Sequence, residues 1–510
     1  MEVEKLSNKQ YDLEKQHAKG KLHAIERIEL LLDKNSFHEI GNEISGYGHA
    51  LHPNEKLIPY DGVICGYGSI NKQKVFVYSQ DFTVVGGSLA YRHGLKIANT
   101  IKLAIQAGCP VIGVFDSGGA RIQEGVIALA GCSEMLYYDT MASGSVPHIS
   151  VVVGPCAGAS AYAPSISDFV FIVDKIGQLF VTGPNVVKSV TNEDITIEEL
   201  GGGKIHSSVS GVSHFCYNNE KDCLGDVRKL VSMLPPSYVV SQENKRNELP
   251  KFERKLISTG IGSIIPDNDR KAYDIHDVIS AVFDKNSFIE VSKDFAQTMV
   301  VGFAKLSGIT VGIIANQPLI KAGIIDCDAS DKAARMVRYC DAYDIPIVTF
   351  VDTPGYMPGR EQEHKGLIRH GAKLVYAYAE ATTIKLTVVL RKAYGGAYIA
   401  MSSRNLRADF IFAWPTAELA VMGADGAVAI LYKKKSKAIE DENERKKYMS
   451  ERLEEYKQQF SNAKIALEEG LVDELIQPEE TREKLYSCIS VLKNKQNLEV
   501  IPKKHGNIPL

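Results

Sequence analysis

The chain has 510 residues, 45% hydrophobic and 24% charged, with 59 basic and 62 acidic side chains and a net charge of −3. That size and apolar content suit a soluble protein with two or more cores, and the balanced charge gives no bulk attraction to nucleic acid or an anionic membrane. The start, MEVEKLSNKQYDLEKQHAKGK, lacks the apolar core of a signal peptide, and no apolar run reaches the roughly 18–20 residues of a membrane span. Nine cysteines without a C-x-x-C pair argue against a zinc ribbon, a redox pair or a disulfide framework. Thiols such as Cys109 and Cys340 fall in apolar helical patterns and read as inert core groups, so a cytoplasmic protein is expected.

In chain order, residues 1–32 read as helix, with Ala24, Ile28 and Leu31-Leu32 on one face. The pentapeptide Asp33-Lys34-Asn35-Ser36-Phe37 then recurs as Asp284-Lys285-Asn286-Ser287-Phe288. The repetition continues. Val63–Tyr67 is echoed by Met299–Phe303, Val75–Gln80 by Val311–Asn316, Gly87 by Gly323, and Pro110–Asp116 by Pro346–Asp352. The offset is constant: 302 − 66, 323 − 87 and 352 − 116 all give 236. Farther on, Ala157-Gly158-Ala159 is matched to Gly395-Gly396-Ala397 at 238, and Asp168–Phe171 to Asp409–Phe412 at 241. A fixed offset through several β-branched runs implies two homologous α/β domains. Each alternates strands with helical stretches such as 90–107 and 330–343. The polar, turn-rich segment from Leu234-Pro235-Pro236 to Leu249-Pro250 marks the boundary, placed near residue 255, which gives domains 1–255 and 256–510. Residues 433–458 read as one solvated helix of mixed charge. The last helix is expected to end near Lys493, with an irregular tail from Lys503 to Leu510.

Chemistry is expected where strands break into glycine turns. The run Leu386–Leu390 leads to Gly395-Gly396 and the small residues after them, a strand, a turn and a helix start. The first half offers the same at Pro155–Ser160. A helix start leaves backbone N–H groups unpaired and positive, and a neighbouring glycine lets an oxygen approach them. Each half has a second glycine turn after a strand, Asp116–Arg121 (DSGGAR) and Asp352-Thr353-Pro354-Gly355. Paired turns of this kind build an oxyanion hole from backbone alone, and two halves supply two holes. Asp116 and Asp352 are expected to cap the backbone that follows them. There is no G-x-S-x-G elbow, Walker A loop or dinucleotide fingerprint, and His93, His206, His214, His364 and His370 lack metal-ligand spacing.

At these residues the chain resembles the carboxyltransferase (β) subunits of biotin-dependent acyl-CoA carboxylases of the propionyl-CoA carboxylase type, and the related α-subunits of methylmalonyl-CoA decarboxylase. The resemblance spans nearly the whole chain. It is carried by Ser79–Thr83, Asp116–Gly125, Gly154–Gly158, Thr182-Gly183-Pro184, Arg369–Lys373, Arg391–Tyr398 and Ala413–Glu418. It implies two crotonase-like (ClpP/crotonase) domains in tandem and a homohexamer built as a dimer of trimers. The first half would hold the acyl-CoA and the second half of an opposing subunit the carboxybiotin. Biotin would arrive on a separate carrier chain charged by a biotin carboxylase, since this chain has no Met-Lys-Met attachment sequence; no metal is expected. Carboxybiotin would release CO2, the ureido nitrogen would take the acyl α-proton, and the thioester enolate would capture CO2.

Carried over by motif, Gly158 and Ala159 would cradle the enolate oxygen, and Gly396 and Ala397 the biotin oxygen. Gly118, Gly119, Ala120, Arg121, Tyr398 and Ile399 would contact substrate. Three positions depart from the family pattern: Ala159 for a second glycine, Ala90-Tyr91-Arg92 at the expected CoA entrance, and Ile399 for an aspartate. Ile399 is expected to favour short apolar acyl groups, propionyl first. Competing readings are the decarboxylase component running the transfer in reverse, a non-catalytic scaffold, and a serine hydrolase using Ser160 with a nearby histidine.

Overall fold

The computed structural model describes residues 13–46, 57–244, 248–253, 260–266, 268, 271–460, 462–496 and 501–510. The chain divides into two compact units, Met1–Glu243 and Asn244–Leu510. The boundary expected near residue 255 falls outside the described residues. Just before it, the Pro250 carbonyl accepts from the Tyr486 hydroxyl (2.6 Å) and the Glu253 amide donates to Ser307 Oγ (3.1 Å), which ties this stretch to the second unit.

In the first unit the strands are β1 (His38–Ile40), β2 (Val63–Ile70), β3 (Gln73–Gln80), β4 (Val111–Ser117), β5 (His148–Ala157), β6 (Phe169–Val173), β7 (Gln178–Phe180) and β8 (Phe215–Tyr217). They form one sheet in the order β1-β2-β3-β4-β5-β6-β8, with β7 paired to the far end of β5. In the second unit they are β9 (Ile289–Val291), β10 (Met299–Leu306), β11 (Ile309–Asn316), β12 (Ile347–Thr353), β13 (Lys385–Tyr394), β14 (Phe410–Ala413), β15 (Glu418–Ala420) and β16 (Glu474–Leu475). Their order, β9-β10-β11-β12-β13-β14-β16 with β15 on β13, repeats the first sheet strand for strand. The antiparallel β2–β3 pair aligns Val63 with Gln80, and β10–β11 aligns Met299 with Asn316, both displaced by 236.

The central strands are parallel and buried on both faces. This explains why Val111–Phe115 and Leu386–Leu390 read as continuous apolar runs rather than alternating ones. Helices Tyr91–Ala107 and Val126–Ala142 cover the first sheet; Ile97, Ile101 and Met135 pack with Val111 and Phe115 in its core. Helices Cys327–Ala342 and Leu367–Glu380 occupy the same places on the second sheet, whose core gathers Phe350, Leu386, Val388 and Trp414.

Three local expectations are corrected. The N-terminal helix is split into Leu13–His17 and Ala24–Leu31, because Gly20 turns at φ +69° and His23 caps the second piece. The charged stretch is likewise two helices, Lys433–Lys437 and Glu442–Phe460. Asp441 Oδ1 accepts the amides of Asn443 and Glu444 and restarts the chain there. Cys109 lies past the end of its helix and is half-buried, whereas Cys340 is buried inside one. Among the described residues no helix is long and apolar enough to cross a membrane.

Candidate active site

In the first unit β5 ends at Ala157, Gly158 turns at φ +58° and ψ −122°, and a helix runs from Ala159 to Ile166. The amide of Gly158 is already engaged, donating to the carbonyls of Phe180 and Val181 at 3.1 Å each. The amide of Ala161 returns to the Gly158 carbonyl at 3.0 Å. The amides of Ala159 and Ser160, in the first turn of the helix, have no backbone partner among the described residues.

The second turn of this unit adjoins the first. At Gly119, with φ +98°, a Cβ would stand 3.0 Å from the Ala157 carbonyl oxygen. Ser160 Oγ donates to Ser117 Oγ at 3.0 Å, and Ser117 Oγ accepts the Gly119 amide at 3.2 Å. Gly118 is exposed, its amide held by the Gly86 carbonyl, and Ala120 pairs with Leu89. Arg121 points inward. Its guanidinium is buried and engaged by Asp61, by Glu124 Oε1 (3.2 Å) and by Ser88 Oγ (3.0 Å), so it braces the loop from behind. Nearby, the Tyr91 amide donates to Glu124 Oε2 and Arg92 to the Ser45 carbonyl.

The second unit repeats the pattern. After β13, Gly395 turns at φ +58° and a helix runs to Ala400. Gly396 is exposed and Ala397 buried, and neither amide has a backbone partner among the described residues. The Thr353 hydroxyl accepts the Gly355 amide (3.3 Å), as Ser117 does for Gly119. Tyr356 stands where the first unit has Ala120, since the paired bridges Leu89–Ala120 and Ile325–Tyr356 are 236 apart. Its ring lies 3.8 Å from where a Gly396 side chain would begin, and burial pushes its phenol up to about 12. Tyr398 is half-buried, its hydroxyl without a partner, and Ile399 is 49% exposed.

Strand pairing corrects the alignment of the two turns. β4–β5 aligns Val111 with His148 and β12–β13 aligns Ile347 with Lys385, so the offset here is 237, not 238. Gly158 therefore corresponds to Gly395 and Ala159 to Gly396, and the matching φ of +58° agrees. The unpaired amides are Ala159 and Ser160 in one unit and Gly396 and Ala397 in the other. Gly158 makes the turn, and the amide of Ser160, a residue the sequence motif does not single out for this role, is unpaired beside that of Ala159. A signal was present: a glycine forced to positive φ stands last before a helix, and the free amides follow it.

Asp116 and Asp352 do not cap the following backbone; the hydroxyls of Ser117 and Thr353, one residue on, do. Both carboxylates instead face inward and are buried. Asp116 meets Lys21 (2.7 Å) and Arg27 (3.0 Å), and Arg27 also binds Glu220 (2.6 Å). Asp352 meets Arg391 (3.0 Å) and the Tyr273 hydroxyl (2.9 Å); burial pushes its carboxyl up, and Arg391 opposes that.

Among the described residues the side chains around the turns offer no histidine base. His93 is enclosed, held by the Asp61 carbonyl (2.7 Å) and Gln80 (3.2 Å), and burial lowers it to about 3. Among the described residues Ser160 has only Ser117 as a side-chain partner, and no histidine stands beside it as a hydrolase base would. Among the described residues no group of three His, Cys, Asp or Glu side chains is placed to hold a metal.

What remains is two backbone cradles of unpaired amides at helix starts. The carboxyl transferase domain model matches residues 15–508. The propionyl-CoA carboxylase carboxyltransferase subunit of Haloferax mediterranei is 48% identical over 97% of this chain and 95% of its own length. Methylmalonyl-CoA decarboxylase subunit alpha of Veillonella parvula is 45% identical over 98% and 95%. Among solved structures, transcarboxylase 12S, a hexamer with methylmalonyl-coenzyme A and methylmalonic acid bound, superposes with a TM-score of 0.92 at 41% identity over 98% of this chain and 94% of that one. The chain belongs to the carboxyl transferase domain family, and its two units carry the crotonase-like fold of that family.

Proposed function

We propose that this carboxyltransferase moves a carboxyl group between biotin on a separate carrier chain and the α-carbon of a short acyl-CoA, propionyl-CoA first. The observation that carries the reading is the pair of matched helix starts, each with two unpaired amides and no side-chain base beside it. The first unit would take the thioester, with Ala159 and Ser160 donating to the oxygen that becomes an enolate. The second would take biotin, with Gly396 and Ala397 donating to the ureido oxygen. Biotin supplies the carboxyl carrier and the nitrogen that exchanges a proton with the α-carbon. The second cradle fits such a group: Gly396 is exposed, and it carries no side chain over its amide.

Equivalent residues around the two cradles support a face-to-face arrangement of the first unit of one copy with the second unit of another, as expected in a hexamer. Tyr162 (51% exposed) matches Ile399 (49%), Val181 (59%) matches Val421 (82%), and Val190 (77%) matches Ile430 (64%). Apolar groups exposed at matching positions in both units are what a shared interface would cover.

The test is transfer from methylmalonyl-CoA to free biotin by the native protein and by Gly396→Pro, which removes one donor. Loss of one such donor typically costs about 10²–10³ in rate. Full activity in a folded Gly396→Pro variant removes the reading. The decarboxylase direction is a second reading, favoured by the relative from Veillonella parvula. Measuring the transfer in both directions with purified partner chains separates the two.

A further inference from the structure

Residues 501–510 have no regular secondary structure, yet they are held along one element of the second unit. Lys503 Nζ donates to Glu380 Oε1 (2.5 Å), and the Arg369 guanidinium donates to the Leu510 carbonyl (2.7 Å). Between these points a side chain on Gly506 would overlap the Tyr376 hydroxyl and the Glu380 carboxylate, so the chain lies flat there. Positions 369, 376 and 380 share one face of helix Leu367–Glu380, and the tail meets them in reverse order, antiparallel to the helix. From 369 to 380 the helix rises about 16 Å, and the chain from 503 to 510 can reach ~25 Å, so the tail covers that face with slack.

The covered helix carries a wall of the second cradle. A Cβ on Gly371, just past Arg369, would stand 3.2 Å from Cε1, Cζ and Oη of Tyr356, and one on Gly396 would stand 3.8 Å from Cδ2 and Cε2 of the same ring. The ring is a spacer between the helix and the cradle, and packing that close passes on any shift of the helix. Arg369 is also tied inward. Arginine can only donate, so His370 Nε2 accepts from it (3.1 Å) and His370 Nδ1 donates to Asp331 Oδ2 (2.8 Å), on helix Cys327–Ala342. In the first unit Ala120 stands in the place of Tyr356, so that cradle has no ring to be spaced.

We propose that residues 503–510 are a strap that positions the second cradle: by holding the start of helix Leu367–Glu380 they set where Tyr356 stands beside Gly396. The proposal rests on the assignment of biotin to the second unit. Arg369, Lys503 and Gly506 are positioning residues in this scheme and act through Tyr356. Contacts of an exposed tail add little to global stability, so loss of the strap should disturb the cradle before it unfolds the unit.

The test is transfer from methylmalonyl-CoA to free biotin by the native protein and by a variant lacking residues 503–510. The KM for biotin should rise ~tenfold, since a misplacement of about 1 Å costs up to 10²-fold. The KM for methylmalonyl-CoA should not move, and neither should the urea midpoint of Trp414, which is buried in the core of the second unit. Gly506→Leu keeps the length of the chain, lifts the strap and should give the same split. In Tyr356→Ala, which copies the first unit, the deletion should add nothing further, because its effect passes through that ring. A biotin KM unmoved by both the deletion and Gly506→Leu overturns the strap. So does an equal rise for both substrates, a rise seen only in variants whose Trp414 midpoint has fallen, or a rise that persists in full in Tyr356→Ala. A native protein that transfers nothing to free biotin strikes instead the assignment of biotin to the second unit.

Discussion

The two units bury the same strand-end carboxylate and neutralise it by different routes. In the first, Asp116 draws its cations from outside the sheet: Lys21 and Arg27 reach it from the N-terminal segment, and Arg27 is shared with Glu220. The neighbouring strand position is Gly154, where any side chain would overlap the Asp116 carboxylate. In the second unit the equivalent position, 237 residues on, is Arg391, and that one side chain replaces both external cations. The site-bearing strand ends are thus pinned redundantly in one unit and by a single ion pair in the other. Robustness to mutation should differ accordingly.

Removing one partner of a buried pair leaves an uncompensated charge and costs about 3–5 kcal/mol. Arg391→Met should therefore destabilise the second unit by that order. Lys21→Met should cost the first unit less, because Arg27 still faces Asp116. Trp414 is the chain's single tryptophan, buried, with its indole N–H on Thr481 Oγ1 (2.9 Å), so its fluorescence reports on the second unit alone. Its urea midpoint should fall in Arg391→Met and stay fixed in Lys21→Met. A Trp414 midpoint unmoved by Arg391→Met would break the contrast.

The turns differ in a second way. A Cβ on Gly395 would stand 2.9 Å from the Val421 carbonyl, and one on Gly158 3.9 Å from that of Val181. Gly395→Ala therefore combines positive-φ strain with a collision that displaces the helix start. Gly158→Ala carries the strain alone, about 1–3 kcal/mol. Transfer to free biotin should drop about 10²-fold in the first variant, comparable to loss of a hole donor, and clearly less in the second. Equal losses would mean that the crowding at Val421 has no bearing on the cradle.

Much of this organisation is legible in the sequence, because a repeat writes the same strand pattern twice. The offset of 236 follows the backbone from β2 through β4 and into β10 through β12. It changes by one at the glycine turn for a physical reason. Identity matched one small-residue triplet to another, and only the backbone reveals which glycine takes φ +58°. The roles of Asp116 and Arg121 were missed because their partners, Lys21, Arg27 and Asp61, lie far away in sequence. No local pattern marks them.

A third difference is pH-dependent. His276, in the first turn of helix Ile275–Val282, sits between Glu290 (2.9 Å) and Asp274 (2.6 Å). Hydrogen bonding to Glu290, opposed by burial and reinforced by Asp274, raises its imidazole to about 9. The equivalent residue in the first unit, 251 positions earlier, is buried Ile25. A raised folded-state value means that the charged ring stabilises fully below its ordinary 6.5, and that this support is lost as pH rises through about 9. The Trp414 urea midpoint should decline over that window, by less than about 1 kcal/mol for so partly exposed a pair. His276→Gln should flatten the decline; an unaltered slope would place its origin elsewhere.

The smallest expected effect tests how the two units divide the substrates. Ile399 and Tyr162 occupy equivalent places four residues past Gly395 and Gly158, and each is about half exposed. If the first unit alone bounded the acyl group, Tyr162 would govern acyl preference and Ile399 would be silent. If opposed copies close over the acyl group, Ile399 supplies an apolar wall to it. A charge at that wall would penalise longer chains, through desolvation of a carboxylate beside apolar carbon. Half exposure limits that penalty, and a methylene in such a pocket discriminates by only about 1–3 kcal/mol in any case. Ile399→Asp should therefore lower kcat/KM for butyryl-CoA relative to acetyl-CoA by less than about tenfold, with propionyl-CoA between them. Ratios left unchanged by Ile399→Asp but altered by Tyr162→Asp would confine acyl selection to the first unit and remove Ile399 from the site.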